Sequence, residues 1–70
     1  MSDTIGWHDT DEIAFRLEEA HGDVDPLKLR FTELHSMITE LDGFADDPLS
    51  SNEKILEAVL MAWLEERDDA

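Results

Sequence analysis

Apolar residues recur at helical spacing in three stretches of the chain, which predicts three helices. The first stretch begins at Asp9, which precedes Glu12 by three residues in the manner of a capping box. Ile13 and Leu17 then lie one helical turn apart on a common face. Gly22 follows as a residue suited to the position after a helix.

The second predicted helix has the most regular pattern. Thr32 is a natural N-cap with Glu33 in the first turn, and Asp42-Gly43 ends the helix. Its apolar positions follow the spacing expected of one buried face, namely Leu34, Met37, Ile38 and Leu41.

The third predicted helix is the longest. Ser50 and Glu53 fit a capping box at its start. Two apolar rows follow, with Ile55, Val59 and Trp63 in one and Leu56, Leu60 and Leu64 in the other. The polar tail, residues 66–70, is expected to fray.

The connection between the first two helices contains turn residues. Asp25 can cap one short helical turn that has Pro26 at its first position. Leu29–Phe31 alternates in polarity and predicts a brief extended segment, beside which Trp7 could pack or pair.

These elements predict an all-α fold, a small three-helix domain resembling a modified winged helix or helix-turn-helix. We expect a single domain over residues 1–70, ordered from about residue 7 to residue 65. Such folds often bind DNA. The second helix, however, carries Glu33 and Glu40 where a groove-reading helix carries Arg, Lys, Asn or Gln.

The charge of the chain excludes several kinds of partner. Asp and Glu number 19 against five Lys and Arg, so the formal net charge is −14. A surface this acidic repels the phosphates of nucleic acids and the anionic lipids of a membrane. Leu, Ile, Val and Phe make up 18 of the 70 residues, which exceeds the roughly 20% typical of disordered chains. We therefore expect a folded, very acidic domain.

The sequence also bears on the compartment. Cysteine is absent, the start lacks the features of a signal peptide, and no apolar run is long enough to span a membrane. We expect a cytoplasmic protein with no tightly bound cofactor.

Five carboxylates lie between residues 33 and 47 with no Lys or Arg among them, the densest uncompensated patch of the chain. Glu33 and Glu40 fall within about 20° of each other around the second helix. We call this set the acidic face, which consists of Glu33, Glu40, Asp42, Asp46 and Asp47. It is either a solvated surface that maintains solubility, or a functional surface. A functional surface would dock a basic partner or weakly bind a hard cation such as iron, manganese, magnesium or calcium.

The histidines do not suggest a metal centre, because His8, His21 and His35 lack the spacing of a metal-binding motif. His35 lies beside the apolar stripe of the second helix, where a boundary histidine making one hydrogen bond is favoured over a ligand. Nothing indicates a pocket that could raise the pKa of a carboxyl, so we expect no enzymatic activity.

The aromatic residues fall into two groups. Trp7 and Trp63 are expected in the core. Phe15 stands off the main stripe of the first helix, and either broadens the buried face or is an exposed contact residue.

One run of residues is distinctive enough to suggest a family. Phe44–Leu60 reads FADDPLSSNEKILEAVL and is followed by Trp63-Leu64. Upstream, Trp7, Asp23–Pro26 and Arg30–His35 fit the same pattern in order. Over nearly its whole length the chain resembles the IscX (YfhJ) family, small acidic accessory proteins of bacterial iron–sulfur cluster assembly.

The resemblance implies a fold like a modified winged helix and a non-enzymatic accessory or regulatory role. It implies that a monomer binds the cysteine desulfurase of the assembly machinery through the acidic face, near the site used by frataxin. It also implies weak iron binding by the same residues, Glu33, Glu40, Asp42, Asp46 and Asp47. The alternative role is therefore an iron donor, and a more remote one is an acidic interaction module unrelated to cluster assembly.

The chain departs from the family pattern between the second and third helices. Gly43 and Ala45 occupy two places that are acidic in the family. This departure weakens the case for an iron site more than the case for docking, because a long-range field tolerates lost charges and a coordination shell does not.

Overall fold

The computed structural model describes residues 4–68, and helices form most of this part of the chain. The elements in order are α1 (Thr10–Ala20), a 3₁₀-helix (Pro26–Lys28), α2 (Phe31–Thr39), a second 3₁₀-helix (Pro48–Ser50) and α3 (Glu53–Asp68). Since the described residues contain no strand, the predicted all-α class is confirmed. The likeness to a winged helix and the single domain over the whole chain stay predictions.

The core lies mainly between α1 and α3, which make the most extensive contact between any two elements. Its buried members are all apolar, and no polar or charged side chain is buried in the described part of the chain. They are Ile5, Trp7, Ile13, Ala14, Leu17, Leu34, Ile38, Leu56, Val59 and Trp63. The predicted core positions of both tryptophans are thus confirmed.

The start of α1 is only partly as predicted. Asp9 is the N-cap residue, but its side chain makes no capping hydrogen bond within the helix. One carboxylate oxygen of Asp9 instead accepts a hydrogen bond from the backbone N–H of Gly6, and Glu12 forms an ion pair with Arg16. The predicted capping box is therefore wrong, because both of its side chains have other partners.

The 3₁₀-helix before α2 confirms one prediction and leads to a correction. The Asp25 side chain caps Pro26–Lys28 by accepting a hydrogen bond from the backbone N–H of Leu27. The backbone is then extended at Leu29 and Arg30. In the described residues this stretch pairs with no strand, and Phe31 already belongs to α2.

The bounds of α2 differ from the prediction at both ends. Its N-cap is Arg30 rather than Thr32, and the last helical residue is Thr39 rather than Asp42. The chain then turns through Gly43, whose φ of 85° lies in the left-handed region that favours glycine.

The start of α3 is also displaced. Ser50 belongs to the second 3₁₀-helix and does not cap α3. Asn52 does so instead, since its side-chain oxygen accepts a hydrogen bond from the backbone N–H of Ile55 at 2.9 Å. The predicted pairing of Ser50 with Glu53 is wrong because the chain completes another helical turn before α3 begins.

The end of α3 lies beyond residue 65, where the ordered core is predicted to end, and fraying of residues 66–70 stays a prediction. The helix continues to Asp68, and the Arg67 guanidinium donates to both carboxylate oxygens of Glu18 at 3.1 Å. It also donates to the backbone carbonyl of Gly22 and lies over the ring of Trp63. Residues 69–70 lie outside the described residues. Within residues 4–68, no helix combines the length and apolar character needed to cross a membrane.

Candidate docking site on the acidic face

The turn and loop that follow α2, residues 40–47, form what we call the acidic loop. Its middle is held by the amino-terminal segment through a short parallel bridge between Ile5 and Phe44. The backbone N–H of Ile5 donates to the carbonyl of Gly43 at 2.8 Å, and the N–H of Ala45 donates to the carbonyl of Ile5 at 2.9 Å. Leu29–Phe31, beside which the sequence suggests that Trp7 could pack or pair, takes no part in this bridge.

Asp46 holds the acidic loop to the amino-terminal segment through its side chain. One carboxylate oxygen accepts a hydrogen bond from the backbone N–H of Trp7 at 3.0 Å, and the other accepts from the N–H of Asp47 at 2.8 Å. These two donors, that of Trp7 first, hold the pKa of the Asp46 carboxyl below its ordinary value. A side chain at Gly6 would place its Cβ 2.8 Å from the Asp46 carboxylate, so glycine permits this approach.

Trp7 completes the attachment with its own side chain. The indole N–H donates to the backbone carbonyl of Asp47 at 2.6 Å. The ring stacks on His35 with centroids 5.4 Å apart and meets the edge of Phe44 at 4.9 Å. Because Trp7 is buried and its N–H has a partner, it serves both the core and the acidic loop.

His35 joins α2 to the residues that follow the acidic loop. Its Nε2 lies 2.6 Å from the backbone carbonyl of Pro48, and the carbonyl accepts the hydrogen bond. His35 is half-buried, so the prediction of a boundary histidine with one hydrogen bond is confirmed. A carboxylate oxygen of Asp47 accepts from the backbone N–H of Leu49, which caps the second 3₁₀-helix.

The other three carboxylates of the acidic face lie on the outside of the molecule. Glu33 is in the first turn of α2, Glu40 is the C-cap residue of that helix, and Asp42 follows in the acidic loop. All three are exposed. Seven residues separate Glu33 from Glu40, so they lie about 10 Å apart along the helix axis. In residues 4–68 the ion pairs are Glu12–Arg16 and Glu18–Arg67, and neither involves the acidic face.

Arg16 is a neighbour of the acidic face that the sequence pattern did not indicate. Its Nη1 donates to the backbone carbonyl of Asp42 at 2.7 Å, while its Nε pairs with Glu12 at 3.1 Å. The guanidinium therefore ties α1 to the acidic loop without pairing with the Asp42 carboxylate. Arg16 and Asp42 are 26 residues apart, so no local signal connects them.

The arrangement does not gather the acidic face into a coordination shell. Within residues 4–68, no group of three or more His, Asp or Glu side chains is placed so that it could hold a metal ion. Asp46 and Asp47 are adjacent, but their carboxylates accept hydrogen bonds from backbone N–H groups. Iron binding by Glu33, Glu40, Asp42, Asp46 and Asp47 stays a prediction.

Phe15, which the sequence left between two interpretations, is 44% exposed. It lies at an open groove of about 530 Å³ between α1 and the acidic loop, to which Leu41 and Asp42 also contribute. The structure therefore favours the exposed contact residue over a member of the core.

The fold and the acidic face together define a small all-α protein with an acidic, outward-facing surface. Comparison with known sequences identifies the family to which this small protein belongs. The family described as "Iron-sulphur cluster assembly" matches residues 5–68, and the chain belongs to this family, the IscX family. An uncharacterized protein of Pseudomonas aeruginosa is similar to the chain, with 46% identity over 65 residues, which cover 93% of this chain and 98% of that protein.

Proposed function

We propose that the chain is a non-enzymatic accessory protein of iron–sulfur cluster assembly, which docks on a basic patch of a cysteine desulfurase and modulates sulfur delivery. The role in cluster assembly is that of the family. The choice of the desulfurase rests on the resemblance of the sequence motifs to the IscX family. We also propose that the protein acts in the cytoplasm and as a monomer.

The observation that carries the proposal is the exposure of three carboxylates that no cation in residues 4–68 neutralises. Glu33, Glu40 and Asp42 are exposed, and neither ion pair of the described residues includes them. Their field adds to that of a chain with net charge −14. Such a surface favours fast, orientation-dependent association with a basic partner.

The structure divides the acidic face into two parts. The carboxylates of Asp46 and Asp47 accept hydrogen bonds from the backbone and hold the acidic loop in place. Glu33, Glu40 and Asp42 remain for recognition. Docking therefore depends most on these three, while Asp46 and Asp47 act mainly by fixing the loop that presents Asp42.

Catalysis finds little support in the described residues, which is why we propose a non-enzymatic role. No polar or charged side chain is buried among residues 4–68. The pKa of the Glu18 carboxyl is lowered by its hydrogen bond with Arg67, and that of Asp46 by its backbone donors. Both shifts favour the charged carboxylate rather than a proton donor at neutral pH.

The test is titration calorimetry of the full chain with a purified cysteine desulfurase at rising salt. Between about 0.01 M and 0.15 M the screening length falls from about 30 Å to about 8 Å. We expect the affinity to fall steeply over this range. An affinity that does not change with salt, or no binding at the lowest salt, would contradict the proposal.

A matched pair of variants separates the acidic face from net charge. Glu40→Lys/Asp42→Lys reverses two charges on the acidic face, and Glu57→Lys/Glu65→Lys reverses two exposed charges on α3. We expect the first variant to lose at least about tenfold in affinity, equivalent to about 1.4 kcal/mol, and the second to lose less. Equal losses would mean that the desulfurase recognises only the total charge.

The second candidate function is that of an iron donor that binds iron weakly. It is supported by the family's part in cluster assembly and by the preference of hard cations for carboxylate oxygens. Amide shifts during titration with ferrous and ferric iron test it. Broadening confined to α2 and the acidic loop would support a site, whereas broadening at carboxylates throughout the chain would indicate a nonspecific polyanion.

A further inference from the structure

A groove between α1 and the acidic loop combines apolar and acidic groups. Its apolar lining comes from Phe15, Ala20 and Leu41. The acidic residues that line it are Glu12, Glu19 and Asp42, and its volume is about 530 Å³. We call it the Phe15 groove.

Arg16 joins the two sides of the Phe15 groove, α1 and the acidic loop. It also lines the groove, with Nε 3.1 Å from Glu12 and Nη1 2.7 Å from the Asp42 carbonyl. The one cation of the lining is thereby engaged within the chain. Three carboxylates against one guanidinium leave the groove acidic.

We infer that the Phe15 groove receives a segment of the basic partner in which a large apolar side chain stands next to Lys or Arg. The apolar side chain would contact Phe15 and Leu41, and the cation would lie near Glu19 and Asp42. This inference rests on the proposed function. It extends the docking surface from the charges of α2 to an apolar contact on α1, with Asp42 common to both.

The chemistry of the groove excludes other occupants. Phosphate groups and anionic lipids are repelled by the same carboxylates. A second copy of the chain would bring another net charge of −14 to the contact. A basic protein segment is the occupant whose charge complements the groove.

An apolar contact and a charged contact respond differently to salt, and this difference makes the inference testable. Charges of the acidic face steer association and lose their effect as salt is raised. Burial of Phe15 against an apolar side chain does not depend on screening. Truncation of Phe15 therefore weakens binding by the same factor at low and high salt.

The experiment compares Phe15→Ala with Met61→Ala in calorimetric titration of the desulfurase at two salt concentrations. Met61 is a matched control because it is also helical and 54% exposed, and it lies outside the groove. We expect Phe15→Ala to weaken binding about tenfold, as expected for a central anchor, with the salt dependence of the wild type. Met61→Ala should bind like the wild type, and circular dichroism should show that both variants are folded.

The outcomes distinguish this inference from the proposed function. Salt-dependent binding of the wild type together with normal binding of Phe15→Ala would overturn the groove and leave the acidic-face proposal standing. Equal losses in Phe15→Ala and Met61→Ala would also overturn it. Absence of wild-type binding would overturn both the proposed function and the groove's partner.

A charge variant tests the proposed cation contact independently of Phe15. Glu19→Gln removes one groove carboxylate from an exposed position of α1. It should weaken binding at low salt and approach the wild-type affinity at high salt, whereas the loss in Phe15→Ala should not depend on salt. A Glu19→Gln variant that binds like the wild type at low salt would exclude the proposed cation contact.

Discussion

The contact between α1 and α3 and the attachment of the acidic loop hold the molecule together in different ways. Between α1 and α3, Leu17 and Trp63 are completely buried, and polar contacts lie at the edge, where Glu18 meets Arg67. The acidic loop is instead fixed largely by hydrogen bonds, such as that from the Trp7 backbone N–H to Asp46, with Phe44 packed against the Trp7 ring.

The difference shows how a chain of net charge −14 folds. The free energy of folding comes mainly from apolar burial, which the charge does not weaken directly. In the acidic loop, repulsion is offset locally because the carboxylates of Asp46 and Asp47 accept hydrogen bonds from backbone N–H groups. One region supplies stability, and the other presents charge.

The largest loss of stability should follow a substitution in the contact between α1 and α3. Leu17→Ala removes a fully buried side chain, and we expect a loss of about 2–5 kcal/mol in the free energy of unfolding. Since domains of this size rarely have more than about 3–5 kcal/mol, the variant should be largely unfolded at 37 °C. Urea titration followed by circular dichroism measures the loss, with Met61→Ala as a control expected to change by less than about 0.5 kcal/mol. Similar losses in the two variants would contradict the assignment of the core.

A smaller loss of stability is expected for a substitution where α2 contacts the residues that follow the acidic loop. His35→Phe keeps a ring to stack on Trp7 but removes the hydrogen bond to the Pro48 carbonyl. The expected loss is about 1 kcal/mol in the free energy of unfolding, measured in the same urea titration. His8→Phe, at an exposed position, is the control. If His35→Phe is as stable as the wild type, the hydrogen bond does not fasten the loop.

The contribution of the Glu18–Arg67 contact, at the edge of α1 and α3, to the free energy of unfolding should depend on pH. The hydrogen bond from Arg67 lowers the pKa of the Glu18 carboxyl in the folded state, so the unfolded chain binds the proton more readily. The stabilisation by this contact is thus complete above the ordinary Glu pKa of about 4.3 and is lost as pH falls through the lowered folded value.

Glu18→Gln isolates this contribution from the changing repulsion of all other carboxylates. We expect the variant to be less stable than the wild type at pH 7, and the difference to disappear in strong acid. Glu19→Gln, whose residue lies beside Glu18 and is exposed, should show no such pH-dependent difference. A constant difference for Glu18→Gln at all pH values would contradict the ion-pair contribution.

The smallest effect on stability should come from salt, and its sign should be opposite to that of the salt effect on docking. Screening weakens the self-repulsion of the folded chain, so the melting temperature of the free protein should rise with salt. The affinity for the desulfurase should fall over the same range. Calorimetric melting and titration at matched salt concentrations measure both. A melting temperature that falls with salt would mean that ion pairs outweigh repulsion.

The sequence predicted the helical faces well, because burial of one face follows directly from the spacing of apolar residues. Leu34 and Ile38 are buried as expected. The helix starts were harder to predict, because several polar residues near each start are able to cap. Ser50, Ser51 and Asn52 all precede α3, and the second 3₁₀-helix leaves Asn52 in the capping position.

The candidate site was predictable as a charge pattern but not as a structure. The exposed positions of Glu33, Glu40 and Asp42 follow from their distance from the apolar stripe. The role of Asp46 does not, because its partner Trp7 lies 39 residues away. The glycine at position 6, which permits the close approach of Asp46, was the available signal, and it does not identify the partner.

We propose that neighbouring carboxylates of the acidic loop have different roles, with Asp46 supporting the fold and Asp42 available for docking. Asp46→Asn exchanges one of two acceptor oxygens for an amide that faces a backbone N–H donor. Asp42→Asn makes the same charge change at an exposed side chain, while the backbone carbonyl that accepts from Arg16 stays in place.

The most direct test is the urea midpoint of these two variants at neutral pH, measured beside the wild type. We predict a lower midpoint for Asp46→Asn and an unchanged or slightly higher midpoint for Asp42→Asn, because the latter only relieves repulsion. Equal midpoints for the two variants, or a lower one for Asp42→Asn, would contradict the division of the acidic face.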